Sequence, residues 1–283
     1  LTVRIVTDST ADLAPKQAQE LGIEIVPLTV FFGDQAYRDG VDLDNERFYE
    51  LLRTSKVMPR TSQPAIADFE ETYRRIFAEG ADAILSVHIS AALSGTFNAA
   101  SLAAETVRAE TGKRIEVIDS RLTSAAMALP LVATARAAQE GKSLDELSSM
   151  IQERLSRIRL IAVLDTLEFL QRGGRIGRAQ QLLGTLLNVK PLITLRDGVV
   201  VPLGKARTRA KAYEQVVEQV MKLGPLEELA VAESNAEVGE QLAIALKNVY
   251  SGPLEHYRLG AVLGTHAGPG VVAAIALVQH AET

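Results

Sequence analysis

The sequence predicts an α/β protein: an N-terminal parallel-sheet α/β domain over residues 1–158, followed by a C-terminal α+β domain over 159–283. Three observations carry this expectation. In the first half, short apolar runs alternate with longer segments of helical period, as βα units do when they build a parallel sheet. In the second half the rhythm changes, and Asp197-Gly198 joins two apolar runs, a strong hairpin signal. Between the two patterns lies the charged helical stretch Leu144–Arg157.

The elements follow in order. Val3-Arg4-Ile5-Val6-Thr7 reads as the first strand. Asp8-Ser9-Thr10-Ala11-Asp12 then opens a helix at 15–21, with Ser9 as hydroxyl cap and Asp12 three residues on. A second strand covers 23–32, turns at Gly33-Asp34-Gln35, and 37–41 pairs back. Helices at 45–54 and 66–80 flank the proline-bracketed loop Met58-Pro59-Arg60-Thr61-Ser62-Gln63-Pro64. Strand 83–89, helix 97–111, strand 114–118 and helix 124–140 complete the first half. The second half holds a strand at 160–164, a short helix at 166–171 ended by Gly173-Gly174, and a helix at 179–187. A hairpin of 191–195 with 199–203 follows, then helices 209–223 and 237–247 around strand 229–233. Strand-like runs at 253–263 and 270–277 enclose a glycine-rich loop at 264–270.

Composition narrows the function. The chain is 47% hydrophobic, enough for a substantial core. Thirty Lys and Arg against 35 Asp and Glu give a net charge of −5, which argues against a nucleic-acid binder. The absence of cysteine excludes disulfides and thiolate chemistry. No run approaches roughly 18 uninterrupted apolar residues, so no integral membrane segment is expected. The first residues already read as a strand, so no signal peptide is expected either, and a soluble cytoplasmic protein is the default. There is no GxxxxGK[ST] loop for ATP, no HExxH, no metal-ligand spacing among the four histidines and no GxSxG elbow. Hence no metal and no cofactor is expected.

Five segments stand out, each with a plainer reading beside it. Ser94-Gly95-Thr96 lies between a strand and a helix, where unpaired N–H groups and small hydroxyl residues can hold an anion. Capping explains one such hydroxyl, but Ser90, Ser94 and Thr96 together exceed what a cap needs. Arg60-Thr61-Ser62-Gln63-Pro64 is either a turn before a helix or a second set of donors. Gly264-Thr265-His266-Ala267-Gly268-Pro269-Gly270 surrounds one histidine with glycines; His266 could donate to an anion, carry charge near neutral pH, or sit exposed in a loop. Arg172, Arg175 and Arg178 of Gln171-Arg172-Gly173-Gly174-Arg175-Ile176-Gly177-Arg178 could hold a carboxylate or phosphate, or form a solvated helix end. The segment lacks the dinucleotide fingerprint and its acidic partner. Lys205-Ala206-Arg207-Thr208-Arg209-Ala210-Lys211 is a phosphate-contacting run or a solvated face.

Taken in order, these motifs resemble the DegV family, the fatty-acid-binding subunits of bacterial fatty acid kinase. Val6-Thr7-Asp8-Ser9-Thr10-Ala11-Asp12-Leu13, Thr61-Ser62-Gln63-Pro64, Leu93-Ser94-Gly95-Thr96, Phe169-Leu170-Gln171-Arg172-Gly173-Gly174-Arg175-Ile176 and the histidine segment match its pattern end to end. The resemblance implies a long-chain fatty acid between the two domains. Thr61 and Ser94 would hold its carboxylate, with Ser62 and the N–H of Gly95 nearby, and Arg172 and His266 would approach from the second domain. It also implies an ATP-binding kinase subunit as partner, which phosphorylates the carboxylate to an acyl phosphate. This chain would then be a substrate-binding subunit with no catalytic residue of its own. Arg207 and Arg209 are candidate contacts for the kinase. Ala99, Ala100 and Ala103 are candidate lining for the acyl tail. The rival readings are a stand-alone enzyme acting on a small carboxylated or phosphorylated metabolite, and, from the basic run alone, a nucleic-acid regulator.

Overall fold

Alternation within the first strand sets up the first layers. In β1 (Val3–Asp8), Val3 and Ile5 enter one core and Val6 another, as the two-residue period of a strand dictates. β1 pairs in parallel with β2 (Ile23–Val26) and β6 (Ala83–His88), and β6 with β7 (Arg114–Asp119). The result is a four-stranded parallel sheet ordered β2-β1-β6-β7. Such a sheet needs cover on both faces. On one side lie α3 (Ile66–Ala78) and α4 (Thr96–Thr111). Phe69, Tyr73, Ile76 and Phe77 form a single helical stripe on α3, and share a core with Ala99, Ala100, Ala103 and Ala104 of α4. On the other side lie α1 (Pro15–Leu21), α5 (Ala125–Gln139) and α6 (Leu144–Arg157). The computed structural model from which these elements are taken describes residues 2–182 and 189–280.

The expected strand at 23–32 is two strands in two sheets. Pro27 follows β2, and proline has no N–H to continue a ladder. Beyond it, β3 (Thr29–Phe32) becomes the centre of a three-stranded antiparallel sheet with β4 (Gln35–Arg38) and β5 (Arg60–Ser62). The expected proline-bracketed loop therefore contains a strand. The expected Ser9 cap is also replaced. Ser9–Ala11 forms a 3-10 turn capped by Asp8, which accepts the Thr10 N–H at 3.0 Å, while the Ser9 hydroxyl accepts the N–H of Leu28. Asp44 caps α2 (Asn45–Thr54), accepting the Arg47 N–H at 2.8 Å.

The second half forms a six-stranded mixed sheet from β8 (Ile158–Val163), β9 (Lys190–Arg196), β10 (Val199–Ala206), β11 (Leu226–Glu233), β12 (Leu254–Arg258) and β13 (Val272–Val278), ordered β10-β9-β8-β13-β11-β12. The β9–β10 hairpin turns at Asp197 and Gly198, both at positive φ (51° and 77°), as the sequence predicts. The outer face of the sheet carries Ile161, Val163, Val231, Val272 and Ala274 against α8 (Arg209–Met221) and α9 (Ala236–Leu246). The inner face carries Leu160, Ala162, Ile193, Ala230, Ala273 and Ile275, and shares a core with α5. Helix α5 is predominantly apolar and buried along most of its length, because it lies between the two large sheets.

Two expectations in this half change. The run at 253–263 is not one strand: β12 ends at Arg258 and α10 (Ala261–Ala267) follows, so His266 stands on a helix rather than in a loop. A short helix, α7 (Glu168–Arg172), occupies the expected place, and Gly177–Leu182 then forms a 3-10 helix. The remainder of the helix expected at 179–187 lies outside the described residues.

Ser90 ties the two halves together. It is fully buried, and its hydroxyl donates to the Gly198 carbonyl in the β9–β10 turn at 2.9 Å. A buried carbonyl that loses its donor costs about 1–3 kcal/mol. Ser90→Ala should therefore lower the unfolding free energy by about that amount in urea titration; an unchanged midpoint would mean that this contact carries no stability.

Candidate functional site

The inner face of the six-stranded sheet is not completely covered by α5. The remaining space is a cavity of about 390 Å³. Its sheet wall is set by register. Ala162 lies beside both Ile193 and Ala273, and Ala273 beside Ala232. One row further back, Leu160 lies beside Ile275, and Val200 beside Leu195. The opposite wall comes from the carboxyl edge of the parallel sheet: Ile89, Leu93, Ser94 and Gly95 after β6, and Thr123 and Ser124 after β7. Open α/β sheets bind ligands at this edge, because the strand-to-helix turns leave a crevice there. Helix α10 supplies Val262, Leu263, His266 and Ala267. Most of the lining is aliphatic.

Polar groups gather at one end. Thr61, Ser62 and Gln63 arrive on β5 and the turn after it, Ser94 and Gly95 on the turn into α4, His266 on α10, and Arg175 on the segment after α7. The Thr61 hydroxyl and His266 Nε2 are hydrogen-bonded at 2.8 Å. The Ser94 hydroxyl lies 2.8 Å from that of Thr96 and accepts the Thr96 N–H at 3.3 Å, so it also serves the start of α4. The Ser62 hydroxyl donates to the Gln63 carbonyl at 3.1 Å. A Cβ at 95 would meet the end of the Gln63 side chain, so the absence of one lets Gln63 lie over this turn. Thr61, Arg175 and His266 also line a surface hollow of about 260 Å³ that contains Arg172 and Gly173. The polar end is thus the end nearest solvent.

His266 is largely buried, and burial lowers its pKa to about 4, with the charge of Arg175 acting in the same direction. At neutral pH the ring is an uncharged imidazole, which resolves the choice between donor and cation in favour of the neutral form. Among the described residues its Nδ1 has no hydrogen-bond partner, and it faces the backbone of Gly173, where a side chain would collide with it. Helix α10 is held at its other end by two buried carboxylates. Asp12 accepts the Gly260 N–H at 2.9 Å and the Ser124 hydroxyl at 2.5 Å, and Asp39 accepts the Ala261 N–H at 3.2 Å. Burial raises the pKa of Asp12 well above the usual carboxylate range and pushes Asp39 up to about 6. Ser124 has a positive φ of 56°, which carries a strain of about 1–3 kcal/mol for a residue with a side chain.

The structure thus brings Thr61, Ser62, Ser94, Gly95 and His266 to one end of one cavity. Arg172 lies outside the cavity wall, in the adjoining hollow, where it pairs with Glu168 at 2.6 Å. Ser90 belongs to the core contact described above rather than to the site. Ala99, Ala100 and Ala103 do not line the cavity; their side chains face α3, on the far side of the parallel sheet, where small residues let the layers approach. Arg209 pairs with Asp165 and donates to the Gly270 carbonyl at 2.9 Å, whereas Arg207 is exposed. Thr123 and Ser124 line the cavity without any sequence signal, and Gln63 and Arg175, which lie inside two of the candidate segments, line it as well. Arg175 was one of three evenly spaced arginines, and spacing alone cannot choose among them. Among the described residues, no helix is long and apolar enough to cross a membrane.

An aliphatic cavity with donors at one end defines a binding protein for an amphiphilic small molecule. A family model described as "Uncharacterised protein, DegV family" matches residues 2–279, and the chain belongs to the DegV family. A DegV domain-containing protein of Halalkalibacterium halodurans is 36% identical over 279 residues, covering 95% of this chain and 96% of that one. A DegV family protein from Thermus thermophilus, described as binding fatty acid, is 34% identical with a TM-score of 0.89, over 99% of this chain and 100% of its own. DegV of Bacillus subtilis, described as a fatty acid binding protein, is 31% identical with a TM-score of 0.85, over 99% of this chain and 100% of its own.

The lowered pKa of His266 has a sign. The unfolded chain takes up a proton near 6.5 and the folded chain only near 4. Stability contributed by this residue is therefore complete above 6.5 and is lost as the pH falls toward 4. NMR titration of the His266 ring should give a midpoint near 4; a midpoint near 6.5 would mean that the ring is hydrated.

Proposed function

We propose that this chain binds a long-chain fatty acid in the cavity, between the domains at 1–158 and 159–283, and presents the carboxylate to an ATP-binding kinase subunit for conversion to an acyl phosphate. The observation that carries the reading is the division of one cavity into a long aliphatic wall and a single polar end. A small polar metabolite would leave the aliphatic wall unused, which disfavours the stand-alone enzyme. The fatty-acid-binding relatives from Thermus thermophilus and Bacillus subtilis support the same choice.

A carboxylate buried without donors is costly. In this reading Thr61 and Ser94 donate to it, with Ser62 and the Gly95 N–H beside them. Neutral His266 holds the Thr61 hydroxyl in place. Because Thr61 and His266 border both the cavity and the surface hollow, the carboxylate sits where a partner can reach it. The positive charges of Arg172 and Arg175 stand at that mouth, placed to offset charge that develops during phosphoryl transfer.

Protein purified from a bacterial host should carry long-chain fatty acid, detected by mass spectrometry after denaturation. No fatty acid in the sample, and none bound on addition, would refute the reading. Hydrogen bonds to a charged group contribute about 1.5–3 kcal/mol each, so Thr61→Ala with Ser94→Ala should weaken fatty-acid binding at least about tenfold. Equal affinity would remove these hydroxyls from the site. In a reconstituted assay with the kinase, Arg207→Glu should slow acyl-phosphate formation without changing fatty-acid affinity; an unchanged rate would place the docking surface elsewhere.

A further inference from the structure

Two hollows meet at one pair of leucines. A second cleft, of about 760 Å³, lies beside the cavity, and among the described residues the two share only Leu160 and Leu195. The cleft is more polar than the cavity: Asp119, Arg121, Arg159, Arg196 and Asp197 line it alongside leucines and isoleucines.

Strand register fixes where this pair stands along the cavity. Val163 lies beside Leu192 and Ala162 beside Ile193. Beyond these two pairs, Leu160 on β8 and Leu195 on β9 each border both the cavity and the cleft. Leu164 follows the carboxyl end of β8, and the chain runs from there into α7 and Arg175. On the neighbouring strand, Val272 is the partner of Val163, and α10 with His266 ends just before it. The polar groups therefore gather at the carboxyl end of β8. Leu160 lies four residues back toward the other end, roughly 13 Å away at the usual rise of a strand.

We propose that the Leu160–Leu195 pair is the partition that ends the acyl cavity, and that the size of Leu195 sets the longest chain this protein can bury. The inference rests on the fatty-acid reading and adds its length limit. Each methylene taken from water into an apolar cavity raises affinity about fourfold. A methylene pushed past the partition would enter a cleft whose leucines and isoleucines are interspersed with arginines and aspartates, and would gain less than in the aliphatic cavity. Of the two leucines, Leu160 is buried in the core, whereas Leu195 is only partly buried. Leu195 is the position where side-chain size can change with less disturbance of the fold.

The test is calorimetric titration of delipidated protein with a homologous series of saturated fatty acids. For the wild type, affinity should climb about fourfold per methylene and then level off at one chain length. Leu195→Ala should move the levelling point to longer chains, and Leu195→Phe should move it to shorter ones. Thermal denaturation establishes that each variant is folded, and the Phe variant keeps the test in force if the Ala variant is not. A wild-type series with no levelling point, or folded variants that level off at the wild-type length, would overturn the partition. Failure of the wild type to bind any member of the series would overturn the fatty-acid reading itself, a result distinct from binding with an unmoved limit.

Discussion

The six-stranded sheet is apolar on both faces, and both must be kept from water. Its outer face is met by α8 and α9. Its inner face is met by α5, which is itself predominantly apolar because the parallel sheet covers its other side. One helix cannot cover six strands. The uncovered part of the inner face is the cavity, walled on its far side by the turns at the carboxyl edge of the parallel sheet. The binding site is thus a direct consequence of how two layers of unequal width are stacked.

The polar end obeys the opposite constraint. Donors in a largely dry place must be held without adding charge that would itself need solvation. The solution is a set of neutral groups: two hydroxyls at Thr61 and Ser94, an amide at Gln63 and an uncharged imidazole at His266. The guanidinium groups stay at the solvent side. Arg175 donates to the carbonyls of Leu93 and Gly173 at 3.0 and 2.6 Å, which fixes it to both halves of the chain. Helix α10, which carries His266, is fastened at its first turn to Asp12 and Asp39 and near its end to Thr61. Movement of one half against the other would therefore disturb the polar end at once.

Much of this was legible residue by residue. The parallel α/β order of the first half, the Asp197-Gly198 hairpin, and the helices at 45–54 and 209–223 follow from local periodicity and turn chemistry, which act over a few residues. The hydroxyl segments at 61–62 and 94–96 stand out in the sequence, but capping or a turn explains them equally well there, and only the fold brings both to one cavity. Errors arose where a distant partner decides. Pro27 marks a break, but only the neighbours of β3 show that the chain changes sheet there. Residues 261–267 have glycines at 264 and beyond, yet fold as a helix because Asp12, Asp39 and the Phe48 core hold them from outside.

By itself, the sequence determined the class of the fold, the absence of thiol chemistry and, as candidates, Thr61, Ser62, Ser94 and His266 at the cavity. These depend on composition and on contacts within one turn or one strand. The tertiary structure decided which of three arginines borders the cavity, that His266 is neutral, and that Ala99, Ala100 and Ala103 pack into a core rather than line the site. It also put Leu160 and Leu195 on the border between the cavity and the neighbouring cleft. Burial and strand register are properties of segments brought together from distant parts of the chain, and no local pattern of residues encodes them.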